Sequence, residues 1–219
     1  MQRTEILTPP AIEPVTLAEA KLHLRVTFSD DDALISALIT AARSLCETRL
    51  RRALITQTLV SYWDNFPWGG GYYNRLIRQM GPSPYWLPTS TGIMDIPRPP
   101  LQSVTSLQWI DYNGTWQTID PSLYLYSVGT PGRIQPVYGQ VWPIARPQID
   151  SIKLTYVAGY GSTEASVPPA IQAAMKLFIG HWYENREQVM SSVGLSLTLL
   201  PVPEAADALL STEDWGGYA

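Results

Sequence analysis

The chain has 219 residues, 45% of them hydrophobic and only 16% charged, and a formal net charge of −4. That length supports one good core, or a core with a sizeable insertion, and the acidic balance argues against a non-specific nucleic-acid binder. A single cysteine, Cys46, excludes an intrachain disulfide and a cysteine-based zinc site. The opening stretch MQRTEILTPP has no apolar core of a signal peptide. No run of about 18 apolar residues marks a membrane span, so a soluble protein made in a cytosol is expected. The chain is rich in aromatics, with 8 Trp and 12 Tyr, a composition that suits either a large aromatic core or a protein-binding surface.

The first predicted element is a short helix over 17–26. Thr16 and Glu19 have the spacing of a capping box, which fixes its start at Leu17. A second helix is expected over 31–52. Ser29 or Asp30 can cap it, and Asp31 and Asp32 suit the positive end of its dipole. Leu34, Leu38, Ala41, Ala42, Leu45, Cys46 and Leu50 recur at helical spacing, so Cys46 reads as an inert, buried thiol. Arg49, Arg51 and Arg52 fall in the last turn, where positive charge is favoured.

The hydrophobic period then changes. ITQTLVSYWDNF (55–66) is rich in β-branched and aromatic residues and reads as a strand. Asn113-Gly114, between two such runs, signals a type I′ hairpin. SLYLYSV, GRIQPVYG and SIKLTYVAGYG read as further strands. In the last, Ile152, Leu154 and Tyr156 alternate with Lys153 and Thr155, so one face is buried. Residues 67–100 are dense in Gly and Pro and hold neither period, apart from one short strand expected at 92–96. They read as a long excursion off the sheet. Helical periodicity returns over 168–187, with Pro168 and Pro169 in the first turn and Ile171, Ala174, Met175, Phe178 and Trp182 as the apolar stripe. The last 31 residues, 189–219, are partly apolar and carry Glu204, Asp207, Glu213 and Asp214 without Lys or Arg, so they read as an acidic arm. The expected fold is α+β: a bundle of about three helices carries a mainly antiparallel β region (55–160) inserted between the second and last helices, with an extended C-terminal tail. The expected domains are 1–188 and the arm 189–219.

No catalytic constellation emerges. His181, Glu184, Asn185, Arg186 and Glu187 crowd the end of the last helix, but a zinc site needs at least three protein ligands, and the other histidine, His23, lies on a different helix. Helix-end polar contacts explain the cluster better: Arg186 can bind terminal carbonyls, and Glu184 or Asn185 can bond neighbouring backbone. There is no G-x-S-x-G elbow and no phosphate-binding G-x-x-x-x-G-K-[ST] loop. Gly69-Gly70-Gly71 lacks the lysine and the following helix that phosphate binding requires. The successive acids Asp30, Asp31 and Asp32 read as helix capping. No cofactor or metal is expected.

Several segments taken in order, PVTLAEAKLHLRV, DDDALISALITAARSLCETRLRRALITQT, WPIARPQIDSIKLTYVAGYG and VPPAIQAAMKLFIGHWYENRE, resemble the head–tail connector (adaptor) proteins of long-tailed phages and gene transfer agents. The resemblance spans roughly 14–58 and 99–187. It departs at Thr48-Arg49-Leu50-Arg51-Arg52, where the family often has a Thr-Gly-Arg turn, so the second helix is expected to run on. The excursion and the long tail exceed the family pattern. The resemblance implies a non-enzymatic ring of twelve copies in the virion, at the capsid vertex beneath the portal protein. Such a ring offers a docking surface for the next neck, stopper or tail protein and lets genomic DNA pass without sequence-specific binding. The alternative is a packaging-associated nuclease or an enzyme accessory. Residues expected to meet partners are Tyr72, Tyr73, Tyr85 and Trp86 in the excursion, Leu197, Leu199, Leu209 and Trp215 in the tail, and Arg49, Arg51 and Arg52.

Overall fold

A computed structural model describes residues 2–67, 92–185, 189–190, 198–199 and 204–213. The chain divides into two compact units. One is built from residues 1–9 and 56–159, the other from 10–55 and 160–219. The boundary expected at 188/189 is therefore not where the chain divides: the β region is a unit inserted into the helical one.

The helical unit contains α1 (Leu17–Leu24), α2 (Asp32–Leu50), α3 (Pro169–Glu184) and α4 (Glu204–Glu213). The capping box forms as its spacing predicts: the Glu19 amide donates to Thr16 Oγ1 and the Thr16 amide to Glu19 Oε2. The bond from the Thr16 amide, helped by the charge of Lys176, holds the Glu19 carboxyl below its usual range. The N-terminus of α2 differs from expectation. Its cap is Asp31, which makes no side-chain cap bond. Asp31 instead accepts from the Tyr183 hydroxyl on α3, and Asp32 accepts from Lys21 Nζ on α1 at 2.6 Å. The acids tie three helices together as well as answering the dipole. The other end of α2 stops at Leu50, short of the expected 52, because Arg51 turns left-handed at φ 52°.

Ile35, Ile39, Ala42, Cys46 and Leu50 of α2 share a core with Ile171, Ala174, Met175, Phe178 and Ile179 of α3. Each fully buried side chain of Ile, Leu or Phe size contributes roughly 1.5–3 kcal/mol. Burial pushes the Cys46 thiol up to about 12, so it has neither the exposure nor the thiolate character of a reactive cysteine. Glu47, at 3% exposure, accepts from the Leu54 amide (3.1 Å) and from Arg43 (3.2 Å), and Arg43 also binds Glu13 at 2.7 Å.

The β unit contains an antiparallel five-stranded sheet in the order β1-β2-β8-β4-β5. Its strands are β1 (Gln2–Thr8), β2 (Gln57–Trp63), β4 (Leu101–Ile110), β5 (Trp116–Thr118) and β8 (Ile152–Ala158). A second antiparallel sheet has the order β3-β7-β6, from Met94–Ile96, Gly132–Pro136 and Tyr124–Ser127. In β8, Ile152, Leu154, Tyr156 and Ala158 are buried and alternate with half-buried residues, as the period of two predicts. The buried Tyr156 hydroxyl donates to the Pro97 carbonyl (2.8 Å) and shares a bond with Ser61 (3.2 Å), which is bonded in turn to Thr4 (2.8 Å). Burial raises that phenol to about 12.

Four features depart from the sequence reading. Strand β1 precedes the first helix, so the β region is not wholly confined between helices. The tail is not simply extended: α4 forms within it, a fourth helix among the described residues, and β9 (Val189–Met190) pairs with β10 (Thr198–Leu199). The helices end earlier, at Leu24, Leu50 and Glu184. The Asn113-Gly114 turn is a three-residue connection, not a two-residue type I′ turn. Asp111 and Thr115 face each other, the Gly114 amide closes on the Asp111 carbonyl, and in this turn only Gly114 has positive φ. A type I′ turn needs positive φ at both central residues. Here Asp111 Oδ1 accepts from the Asn113 and Thr115 amides and stabilises the wider turn.

Trp142 is fully buried; its indole Nε1 donates to the Gly92 carbonyl (2.6 Å) and its ring stacks on Phe66 at 4.9 Å. Phe66 and Gly92 are the two stems of the excursion, so one side chain holds both. Trp142→Ala is expected to lower stability by about 3–5 kcal/mol, measured by urea unfolding. A loss under about 1 kcal/mol would show that the stems are held by other means.

Candidate functional site

The sites suggested by sequence fall into different places. At the end of α3, the Asn185 backbone and side-chain nitrogens both donate to the His181 carbonyl, at 3.0 and 2.9 Å. The polar residues of this helix end are thus used in capping, by Asn185. His23, on α1, lies against Gly180: a Cβ added there would meet its Nε2 at 3.5 Å. That is ordinary van der Waals contact, so the packing of the two helices there does not depend on a glycine. Among the described residues, no three His, Cys, Asp or Glu side chains converge in a way that could hold a metal ion. Among them, too, no helix is long and apolar enough to cross a membrane.

The three arginines have separate structural surroundings. Arg49 pairs with Asp207 of α4, and its guanidinium lies over the Phe178 ring at 5.5 Å from the centroid. Arg51 is exposed at the left-handed cap of α2. Arg52 is buried at 6% exposure and donates to the Tyr160 hydroxyl at 2.6 Å. Arg49 and Arg52 are engaged by different parts of the helical unit, one by Asp207 and Phe178 and the other by Tyr160.

In the tail, Leu209 packs against the helical core beside the buried Ala206 and Leu210. Part of its surface is thus covered within its own chain. Leu199 lies in β10. Tyr72, Tyr73, Tyr85, Trp86, Leu197 and Trp215 lie outside the described residues, as do Arg186 and Gly69-Gly70-Gly71.

The surface residues that sequence reading missed are in the β unit. Leu123, Leu125, Tyr126 and Val128 are exposed on and beside β6, and Tyr138 is fully exposed. A groove of about 240 Å³ runs along β6, lined by Ile93, Leu125, Tyr126, Arg133 and Gln135 among others. The available signal was charge: no charged residue occurs from Pro121 to Gly132.

Residues 14–115 match the family model of the phage gp6-like head–tail connector protein. The match takes in the first two segments of the sequence resemblance and runs through the excursion, whereas the α3 segment lies beyond it. No curated protein matches the chain. Among solved structures, the chain is similar to one from the neck of an empty gene transfer agent particle computed with C6 symmetry. That match has TM-score 0.72 and 18% identity, over 99% of this chain and 97% of the other. It is also similar to one from the neck of the native particle computed with C12 symmetry, with TM-score 0.65 and 19% identity, over 100% and 97%. A third, from the virion of the native particle, gives TM-score 0.68 and 18% identity over 95% and 93%. At such identities the likeness is one of fold. With the family match, it supports a structural connector role in phage-like particles.

Two stability measurements check these assignments. Leu210→Ala is expected to cost about 2–4 kcal/mol in urea unfolding, because it opens a cavity in the helical core; an unchanged midpoint would mean that α4 does not belong to that core. Arg51→Gly is expected to raise stability by up to about 1 kcal/mol, since glycine takes a left-handed cap without the Cβ clash. A lower midpoint would show that the Arg51 side chain contributes more than the strain it introduces.

Proposed function

We propose that the protein is a non-enzymatic head–tail connector that closes into a ring of twelve copies beneath the portal and joins the capsid vertex to the next neck or tail protein. The observation that carries this reading is the end-to-end fold likeness to chains from particle necks, over 99% of this chain in one case, together with the connector match over 14–115. One of those neck structures was computed with C12 symmetry and another with C6, a subgroup of twelvefold symmetry. In a closed ring every copy meets the next through the same pair of different surfaces. DNA passes through the centre, and the net charge of −4 favours passage over adhesion, because like charge repels phosphate.

The partner surfaces follow from the same reading. Tyr72, Tyr73, Tyr85 and Trp86 sit in a segment whose stems Trp142 holds on the β unit, and they serve as aromatic anchors on an adjacent subunit or the next neck protein. Leu197 and Trp215 are the tail residues proposed to meet the portal. The nuclease alternative would need clustered carboxylates. The described acids Asp31 and Asp32 are instead engaged by Tyr183 and Lys21.

Deleting the gene and imaging particles by electron cryomicroscopy tests the function. Filled or leaking heads without a neck ring and without tails are expected. Tailed, infectious particles from the deletion would rule out the connector role.

A further inference from the structure

Edge strands expose unpaired backbone groups, and proteins protect them with charge, proline, bulges or a covering element. The β unit treats two of its edges very differently. Strand β1 carries Arg3 and Glu5, which pair with each other, and its register slips between Ile6 and Thr8. Its edge is guarded against indiscriminate pairing. Strand β6 is the edge of the three-stranded sheet among the described residues, and it has none of these devices. From Tyr124 to Gly129 it holds no charge and no proline, and its register with β7 is continuous. Leu125 and Tyr126 are successive residues, so they lie on opposite faces, and both are exposed, at 54% and 43%.

Leu123, Leu125, Tyr126, Val128 and Tyr138 are exposed on and beside this edge. They flank it on both faces, so backbone pairing along the open edge is the main contact and the apolar side chains pack beside it.

We propose that β6 is a subunit interface: it adds β1 of the next copy of this chain to the three-stranded sheet. The inference rests on the ring reading above. A ring needs two different surfaces per copy, since β6 pairing with itself would be isologous and stop at a dimer. Among the other described edges of the β unit, β3 and β5 have 3 residues each, while β1 has 7 and can span the 4 residues of β6. The guarded edge gives specificity and the unguarded edge gives adhesion. Exposed Ile6 and Leu7 on β1 add apolar surface to the contact.

Disulfide trapping in assembled particles tests this. The native Cys46 is fully buried and does not interfere. Leu125→Cys is combined in turn with Thr4→Cys, Glu5→Cys and Ile6→Cys, which covers both faces and neighbouring registers. At least one pair is expected to give a ladder of linked subunits on oxidation, while each single variant stays monomeric on a non-reducing gel. A second variant, Leu125→Lys, is expected to keep the wild-type thermal transition but yield at least about tenfold fewer ring-bearing particles, as loss of a central anchor does. No ladder from any pair, in particles whose neck ring is intact, would overturn this interface and leave the ring reading standing. A dimer band from Leu125→Cys alone would show β6 pairing with itself. Wild-type particles without a neck ring would sink the ring reading itself.

Discussion

The helical unit depends on one closure. Its two segments, 10–55 and 160–219, are separated in sequence by the whole of residues 56–159. They meet where the Tyr160 amide donates to the Leu54 carbonyl at 3.1 Å and Ile55 bridges Gly161 in parallel. Neighbouring contacts reinforce the point. Glu47 accepts from the Leu54 amide, and buried Arg52 donates to the Tyr160 hydroxyl. With these segments held, α3 is delivered to α2, and Phe178, Met175 and Ile171 share a core with Ile35, Ala42 and Cys46. Closing a long loop costs little more entropy than closing a moderate one, because the cost rises only with the logarithm of length. A sizeable unit can therefore be inserted here without forfeiting the helical core.

Buried polar groups do more here than tolerate burial. The Glu47 carboxylate is almost fully enclosed and bonded by the Leu54 amide and Arg43, so it fixes the turn out of α2 without an uncompensated charge. In the β unit, the Tyr156 hydroxyl links Ser61, Thr4 and the Pro97 carbonyl. That network joins β8, β2 and β1 through side chains as well as through their ladders. Trp142 acts on the stems of the excursion in the same spirit, combining a stacking face with a hydrogen bond.

Several ionic groups serve as internal joints: Asp31 and Asp32 on neighbouring helices, Arg49 on α4, Arg52 on Tyr160. On the β unit, β6 is an uncharged apolar edge. A monomer gains nothing from such an edge and risks aggregation, whereas an assembly uses it.

Much of the architecture was legible in the sequence, wherever local chemistry and the hydrophobic period agree. Thr16 and Glu19 set the start of α1 because both halves of a capping box lie within one turn. The period of two in β8 and the heptad-like stripes of α2 and α3 came from side chains whose burial repeats with the backbone. The connector resemblance rested on those same segments. Other features needed the folded chain. Arg51 ends α2 although arginine is a good helix former, because Leu54 must turn back to Glu47. Asp111 widens a turn that Asn-Gly alone would make tight. Strand β1 exists because β2 offers an edge fifty residues away. Leu209 reads in the sequence as a residue that meets another chain, whereas in the fold it lies against the helical core beside Ala206 and Leu210. The unprotected edge of β6 also became visible only when sheet order was known. Periodicity reports which face of an element is apolar, while the identity of what covers that face is a non-local fact that only tertiary structure decides.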